Sequence, residues 1–458
     1  MPSLKSYVDT SPSLRLALGS VRHAIRAVDP ARLIKSSLKL RNGQLSVHDI
    51  KHQRTNLDLK LFDHIYLIGA GKATARMARV LRQIIGDKVS GGAITVPYGT
   101  NEIVEDIFIT HASHPIPDVS GVKGTKKMIE ILRKTTPADL VFVLISGGGS
   151  SLMPLPSKNL SLREKQAVTS SLILSGASIE EVNAVRKHLS RIKGGQLLRY
   201  MNKGCRLVSL IISDVINDKL SVIASGPTCP DPSTYKDAAR VLRKYGLWNK
   251  QHRETKNVIV QGLRRRETET PKPGDSIFQR AINLLIGNNS VACTAAEKYL
   301  KRRRVEAHTL GTAFDGEAWR FGGKLAILAK DLIGKDRSFA FVLGGETVVK
   351  IDRMNNYGVG GRNQEAVLAT ATNLQDFHTD QDITVICAGT DGIDGNSEAA
   401  GAFLNPQVIS NMQRKNLDAR YFLKTHNSYC FFKQINSLII TGRTGTNVND
   451  ISIVCKIK

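Results

Sequence analysis

VFVLISGGGSSLMPLP, residues 141–156, passes without interruption from an apolar run, Val141 to Ile145, into Ser146, three glycines and two further serines. A continuous apolar run that short fits a strand buried on both faces, and such strands belong to parallel sheets covered by helices. The glycines after it offer backbone N–H groups without side-chain obstruction, which is how an anion, typically phosphate, is held. A tight strand-to-helix turn needs glycine for its own reasons, so this loop alone divides evenly between the two readings.

The same phrase, a run of large apolar residues followed at once by Gly, Ser, Thr or Asp, occurs seven times: HIYLIGAGKA, GAITVPYGT, VFVLISGGGSS, LVSLIISDV, FAFVLGGETVV, ITVICAGTDG and SLIITGRTGTN. Helical patterns between the phrases supply crossovers, so the chain reads as a mostly parallel α/β protein. Residues 72–87 carry an apolar stripe at helical spacing. Ser161 with Glu164 and Ser178 with Glu181 form capping boxes that open two more helices, the second running to Gly194 and Gly195. The cations on that second helix, Arg186, Lys187, Arg191 and Lys193, read as a solvated face. In such sheets ligands gather beyond the carboxyl ends of the strands, so the polar loops are where chemistry is expected.

At 458 residues, 41 % of them hydrophobic, the chain has material for two domains. Residues 251–280 combine charge runs, Pro and Gly with little periodicity and read as a linker between a domain at 1–250 and a second at 281–458. No apolar run approaches the roughly 18 residues of a membrane helix. Six scattered cysteines without a Cys-x-x-Cys argue against a disulfide scaffold or a zinc knuckle and fit a reducing compartment. The Arg-bearing, acid-poor N-terminus reads as a first helix of the fold rather than as a mitochondrial leader, so the expected location is the cytoplasm, with the mitochondrion as the alternative. A net charge of +25 favours anionic ligands, yet the basic clusters at 264–266 and 301–304 are short and lack interleaved aromatics, so they read as solvated helix faces.

A second glycine loop, Gly69-Ala70-Gly71-Lys72-Ala73-Thr74, sets a lysine at a helix N-terminus, where backbone donors already attract negative charge. It matches neither a P-loop, since Ala73 follows the lysine, nor a dinucleotide fingerprint, since Thr74 stands where a third Gly or Ala belongs. Asp214 and Asp391 lie in strand-end loops and suit magnesium shared with phosphates. Arg362 emerges from a glycine-rich turn and can grip a carboxylate or phosphate through two parallel hydrogen bonds. His114, before a proline, reads as structural or substrate-lining. Phosphate cradles, a lysine, an arginine and carboxylates without a covalent nucleophile describe phosphoryl transfer, which mainly needs positioning and charge neutralisation.

In order and spacing, Gly69 to Lys72, Ser146 to Ser150, Asn183 to Ser190, Ser213-Asp214, Gly344 to Thr347, Gly360 to Glu365, Ala388 to Gly395 and Thr444 to Asp450 resemble the class II glycerate kinase family, whose C-terminal part is the MOFRL domain. The resemblance spans about residues 14–453. It implies a Rossmann-like, doubly wound N-terminal domain, a C-terminal α/β domain with a mixed sheet, and an active site in the cleft between them. It further implies ATP-dependent phosphorylation of D-glycerate, generally at the 2-hydroxyl, with Mg2+, and leaves a homodimer open. The family's essential lysine and arginine fall on Lys72 and Arg362. Only that pair rests on the family's motif; from the loop chemistry above, Asp214 is assigned as the catalytic base or, with Asp391, as a metal ligand. Gly69, Gly71, Ser146, Gly147, Gly148, Gly149, Ser150, Arg186, Glu346 and Asn447 become positions that bind substrate or phosphate. Arg443 stands where the family usually has proline, which removes a fixed φ from that turn. Two other readings remain: a hydroxypyruvate reductase, a label some family members have carried, and a basic nucleic-acid-binding module. Small molecules are the expected partners, with neither nucleic acid nor membrane among them.

Overall fold

A computed structural model describes residues 11–248, 252–265, 269–351, 357–374 and 381–458. The chain forms two compact units, one made of Leu33–Ile286 and the other of Gly287–Lys458 together with the described residues up to Arg32.

In the first unit, strands β1 (Leu38–Arg41), β2 (Gln44–His48) and β3 (Arg54–Asp58) form a small antiparallel sheet. The main sheet is built from β4 (Ile65–Ala70), β5 (Val89–Pro97), β6 (Ile107–Ala112), β7 (Leu140–Ile145), β8 (Arg206–Ile212) and β9 (Ala281–Gly287), in the spatial order β6-β5-β4-β7-β8-β9. Numbered within the sheet this is the doubly wound order 3-2-1-4-5-6, and the pairings from β6 through β8 are all parallel. All six residues of β7 are buried, as its unbroken apolar run requires. Each such Leu, Ile or Val contributes about 1.5–3 kcal/mol by leaving water. The order in which strands are added to the sheet reverses between β4 and β7, so the loops after these two strands are the ones that open onto the switch-point crevice.

A helical layer, Leu162–Leu174, Ile179–His188, Tyr235–Lys244 and Arg253–Arg264, shares a second apolar core around Val168, Val185, Leu189, Leu242 and Ile259. The helix at 253–264 occupies much of the stretch expected to be a linker. Its charged residues face solvent, while Val258 and Ile259 enter that core, a division that composition alone conceals.

The second unit contains β10 (Glu306–Phe314), β11 (Phe339–Gly345), β12 (Asp382–Gly389), β13 (Gly401–Leu404), β14 (Leu438–Ile439) and β15 (Asp450–Ile457), ordered β10-β11-β15-β12-β13-β14. Only β10 and β11 pair in parallel; β15 runs antiparallel between β11 and β12, so the sheet is mixed. Registry places Asp450, the first residue of β15, beside Gly345 and Gly389, the last residues of β11 and β12. The seven apolar phrases of the sequence fall on β4, β5, β7, β8, β11, β12 and β14.

The helix Pro12–Ala27 belongs to this second unit although it comes first in the chain. Its stripe of Leu14, Ala17, Leu18, Val21 and Ala24 is buried, and it packs on the helix Asn289–Lys301 and on β12 and β15. Ser11 Oγ and Ser13 N donate to Asp382 at 2.6 and 2.7 Å, and Thr446 Oγ1 donates to the carbonyl of Val28 at 2.7 Å. The expected boundaries, 1–250 and 281–458, therefore differ from the observed units, because an amphipathic stripe shows that a helix is buried but not against what.

Candidate active site

In the first unit the switch-point loops are stapled together. Lys72 N donates to the carbonyl of Gly147 at 2.9 Å, and Ala73 N donates to Ser146 Oγ at 3.0 Å. Gly71, at φ +149°, sits where a Cβ would come within 2.1 Å of Ser146 Oγ, so the two backbones can approach only without a side chain. The hydroxyl of Ser146 is thus a structural link between the loops. Thr74 opens the helix Thr74–Ile85, which leaves Lys72 just ahead of its first turn, where its charge and the positive end of the helix dipole both attract an anion. His114 lies against Gly148, where an added Cβ would meet its ring at 2.6 Å. Burial, aided by the charge of Lys72, pushes the His114 imidazole down to about 4, so it is neutral near pH 7.

A cavity of about 420 Å³ opens beside the loop and is lined by Ser146, Gly148, Gly149, Ser150, Arg186 and Asp214, among others. These expected positions are brought together. Lys165 and Lys193 line it as well. Lys193 is 1 % exposed, and its Nζ donates to Ser150 O at 2.9 Å, Ser150 Oγ at 2.8 Å and Ala224 O at 3.4 Å. Ser150 Oγ also lies 3.0 Å from Ser225 Oγ, which donates to Asn183 Oδ1 at 2.9 Å. Burial, with the charges of Lys165 and Arg186, drives the Lys193 pKa well down. Burial also lowers that of Arg186.

The solvated-face reading of these cations is corrected. The helix ends at His188, and Gly194 and Gly195 belong to a later turn. Lys187 is buried and bonded to Asp231 at 3.0 Å, while Lys193 and Arg186 turn toward the cavity. Amphipathic spacing marks charge as outward by default, and only tertiary packing shows that these stems run inward. The cations at 301–304, by contrast, are exposed.

In the second unit Arg362 begins the helix Arg362–Leu374. Its Nε and Nη2 donate to Oδ2 and Oδ1 of Asp450 at 2.5 and 3.1 Å, and Nη1 donates to Glu346 Oε1 at 2.7 Å. Burial opposes the guanidinium charge, but Asp450, with Glu346 and Asp394, outweighs it and raises the Arg362 pKa. Asp394 receives the backbone N–H groups of Asn363 and Gln364 at 3.0 and 2.8 Å and both their side-chain amides, so it fixes the helix start that presents Arg362. Asp391 lies near the end of β12 and accepts from Ile393 N at 3.1 Å. Asn447 accepts from Asn449 N at 3.1 Å within the loop that leads into β15. That loop is pinned by Thr444 Oγ1 to Thr390 O at 2.6 Å, and Arg443 is simply exposed, so losing the proline leaves the turn tied down. Neither Asp450, which bonds Arg362, nor Asp394, which holds the helix start behind it, was singled out from the sequence for these tasks; they stand 88 and 32 positions from Arg362, and spacing carries no trace of either arrangement.

Among the described residues no group of three His, Cys, Asp or Glu is placed to hold a metal. Mg2+ commonly needs only one or two carboxylates plus waters and substrate phosphates, a requirement that Asp214, lining the cavity, fits within the first unit; Asp391 lies near the end of β12 in the second. No helix among the described residues is long and apolar enough to cross a membrane.

Fold and site define a two-unit α/β protein in which Lys72 stands beyond the strand ends of a doubly wound sheet and Arg362 beside those of a mixed sheet. Residues 16–260 match the family described as a domain of unknown function (DUF4147), and residues 339–450 match the MOFRL family. A glycerate 2-kinase from Pyrococcus horikoshii is 37 % identical over 96 % of both chains. A putative hydroxypyruvate reductase from Agrobacterium vitis is 40 % identical over 85 % of this chain and 86 % of its own. The crystal structure of a glycerate kinase from Thermotoga maritima superposes with a TM-score of 0.82 at 36 % identity, covering 97 % of this chain and 99 % of the other. The chain belongs to the glycerate kinase family with a C-terminal MOFRL region.

Proposed function

We propose that the chain transfers the γ-phosphoryl group of ATP to the 2-hydroxyl of D-glycerate. The observation that carries this reading is Lys72 held at the switch-point loop, its backbone tied to Gly147 just ahead of a helix N-terminus. Phosphoryl transfer asks for fixed positive charge where negative charge spreads in the transition state, and Lys72 and Arg362 are the two cations assigned to it. Ser150 and the loop Gly147 to Gly149 cradle an anionic group, the Gly149 N–H being already given to the carbonyl of Ser146 at 3.2 Å. Glu346 and Asp450 aim the guanidinium of Arg362. Asp214 would hold Mg2+ or take the proton of the attacking hydroxyl; Asp391 is the other carboxylate proposed as a metal ligand. Mg2+, when bound, neutralises charge on the nucleotide phosphates. Arg186 and Asn447 contribute further polar contacts to substrate. The reaction needs no macromolecular partner, and the cytoplasm supplies both reactants.

The reductase name carried by the Agrobacterium vitis relative is the second reading, favoured by the sheet order that dinucleotide folds share. Against it stands Thr74, wholly buried, with its hydroxyl 3.3 Å from Ser146 Oγ where that fingerprint packs a glycine or alanine. Two assays on the purified chain decide: ADP release with ATP, Mg2+ and D-glycerate, and NADH or NADPH oxidation with hydroxypyruvate. Turnover only in the first supports the kinase, and turnover only in the second overturns it.

A further inference from the structure

Lys165 is the feature the proposed reaction leaves without a task. It sits on the helix Leu162–Leu174, is 5 % exposed, lines the 420 Å³ cavity, and its Nζ has no hydrogen-bond partner among the described residues. A buried ammonium without a partner is costly, so such a group is retained where something else satisfies it. Arg186 and Lys193 border the same cavity. Its mouth carries Ile116, Ile173 and Ile179, which are 64 %, 55 % and 50 % exposed although all are large and apolar.

We propose that this cavity is the nucleotide subsite, with Lys165 and Arg186 receiving phosphate oxygens and the three isoleucines covering the base. A three-carbon acid would fill only a fraction of 420 Å³ and has nothing to lay against isoleucine, whereas a nucleoside polyphosphate matches both the anionic and the apolar end. Lys193 acts as a positioning residue: its bonds to Ser150 and Ala224 hold the glycine loop against the cavity. The flexible stem of Lys165 lets its ammonium move the short distance to a phosphate.

Burial, with the charge of Arg186, brings the Lys165 pKa down to about 7, so a good part of the empty site carries an uncharged amine near neutrality. Arg186, Lys193, His114 and Asp214 line the same cavity, and of these the charge of Arg186 bears on Lys165. On the neighbouring side of its own helix, Glu164 is engaged by Thr255 N and lies 3.7 Å from His252. A bound phosphate stabilises the ammonium and raises its pKa, so nucleotide binding above pH 7 takes up a proton and weakens as pH rises.

The inference rests on the kinase reading for its choice of nucleotide but is tested without turnover. Titration calorimetry on the full chain, at pH 6 and pH 8.5 and in buffers of different ionisation enthalpy, would measure MgADP, MgATP, orthophosphate and D-glycerate separately. The expected result is proton uptake with both nucleotides at pH 8.5. Lys165→Met should abolish that uptake and weaken nucleotide binding about ten- to a hundredfold, the loss of one charge-assisted hydrogen bond, with D-glycerate affinity unchanged. Lys165→Arg should restore most of the affinity without the proton uptake, and thermal melting of both variants shows whether they fold. Wild-type nucleotide affinity in folded Lys165→Met, or a loss confined to D-glycerate, overturns the assignment. Nucleotide binding that depends on Lys165 in a protein that fails to phosphorylate glycerate leaves the subsite standing and removes the kinase reading instead.

Discussion

Arg362 and Asp450 meet through both carboxylate oxygens, Nε 2.5 Å from Oδ2 and Nη2 3.1 Å from Oδ1. Asp450 is in turn anchored by its place in β15, and its backbone carbonyl accepts from Asn289 Nδ2 at 2.9 Å. A fork of this kind fixes the plane of the guanidinium, and the N–H donors left on its terminal nitrogens remain for a ligand. Asp450→Asn keeps the shape and removes the charge. It should lower kcat/KM for glycerate about ten- to a hundredfold, mainly through kcat, because the interaction it disturbs matters most in the transition state. An unchanged kcat would show that Arg362 reaches its working position without this partner.

Asp214→Asn separates the two roles open to that carboxylate. If it holds the metal, the variant should need more Mg2+ to reach half-maximal rate. If it takes the proton, the acidic limb of the pH–rate profile should flatten and kcat should fall about a hundred- to ten-thousandfold at saturating Mg2+. Wild-type kinetics on both counts would remove Asp214 from the mechanism.

Burial pushes the Asp394 carboxyl up to about 6, against the pull of the Gln364 and Asn363 N–H groups and with help from the charge of Asp450. Its folded pKa therefore lies above its unfolded value near 3.8. The contribution to stability from this shift is fully present below the unfolded pKa and is lost as pH rises through about 6. Asp394→Asn should abolish that slope and, by setting an amide against N–H donors, destabilise the fold by about 1–3 kcal/mol. Chemical denaturation between pH 4 and 7 measures both effects.

Cys205, Cys229, Cys293, Cys387 and Cys455 are buried, and burial raises each thiol, to about 11 for the first two and about 12 for the others. Only Cys430 is partly accessible. A thiol reagent at pH 8 should label Cys430 alone in the native protein and all six after unfolding, read by intact mass. Rapid native labelling of a second cysteine would contradict the packing described.

Seven strands were easy to read because each is a short apolar run that ends abruptly in glycine or a small polar residue, and both halves of that signal are local; β1, β2, β3, β6, β9, β10, β13 and β15 fell outside it. The positions of Lys72, Ser146 to Ser150 and Arg362 at strand or helix ends followed from the same signal. Lys165 escapes notice and Lys193 reads as solvated because a lysine in an amphipathic stretch is outward by default, and their burial depends on a cavity built from four separate stretches of chain. The helix Pro12–Ala27 shows the same limit: its stripe announces burial, while its partner Asp382 lies 371 positions from Ser11. Pairings across such distances leave no periodicity behind.

The most direct test is phosphorus NMR of the purified chain with ATP, Mg2+ and D-glycerate, followed for wild type, Lys72→Ala and Arg362→Ala. The expected result is 2-phosphoglycerate with stoichiometric ADP from the wild type, and kcat/KM lower by about two to four powers of ten in each variant. Absence of phosphoglycerate from the wild type, or near-wild-type turnover in either variant, would contradict the assignment of these two cations to the moving phosphoryl group.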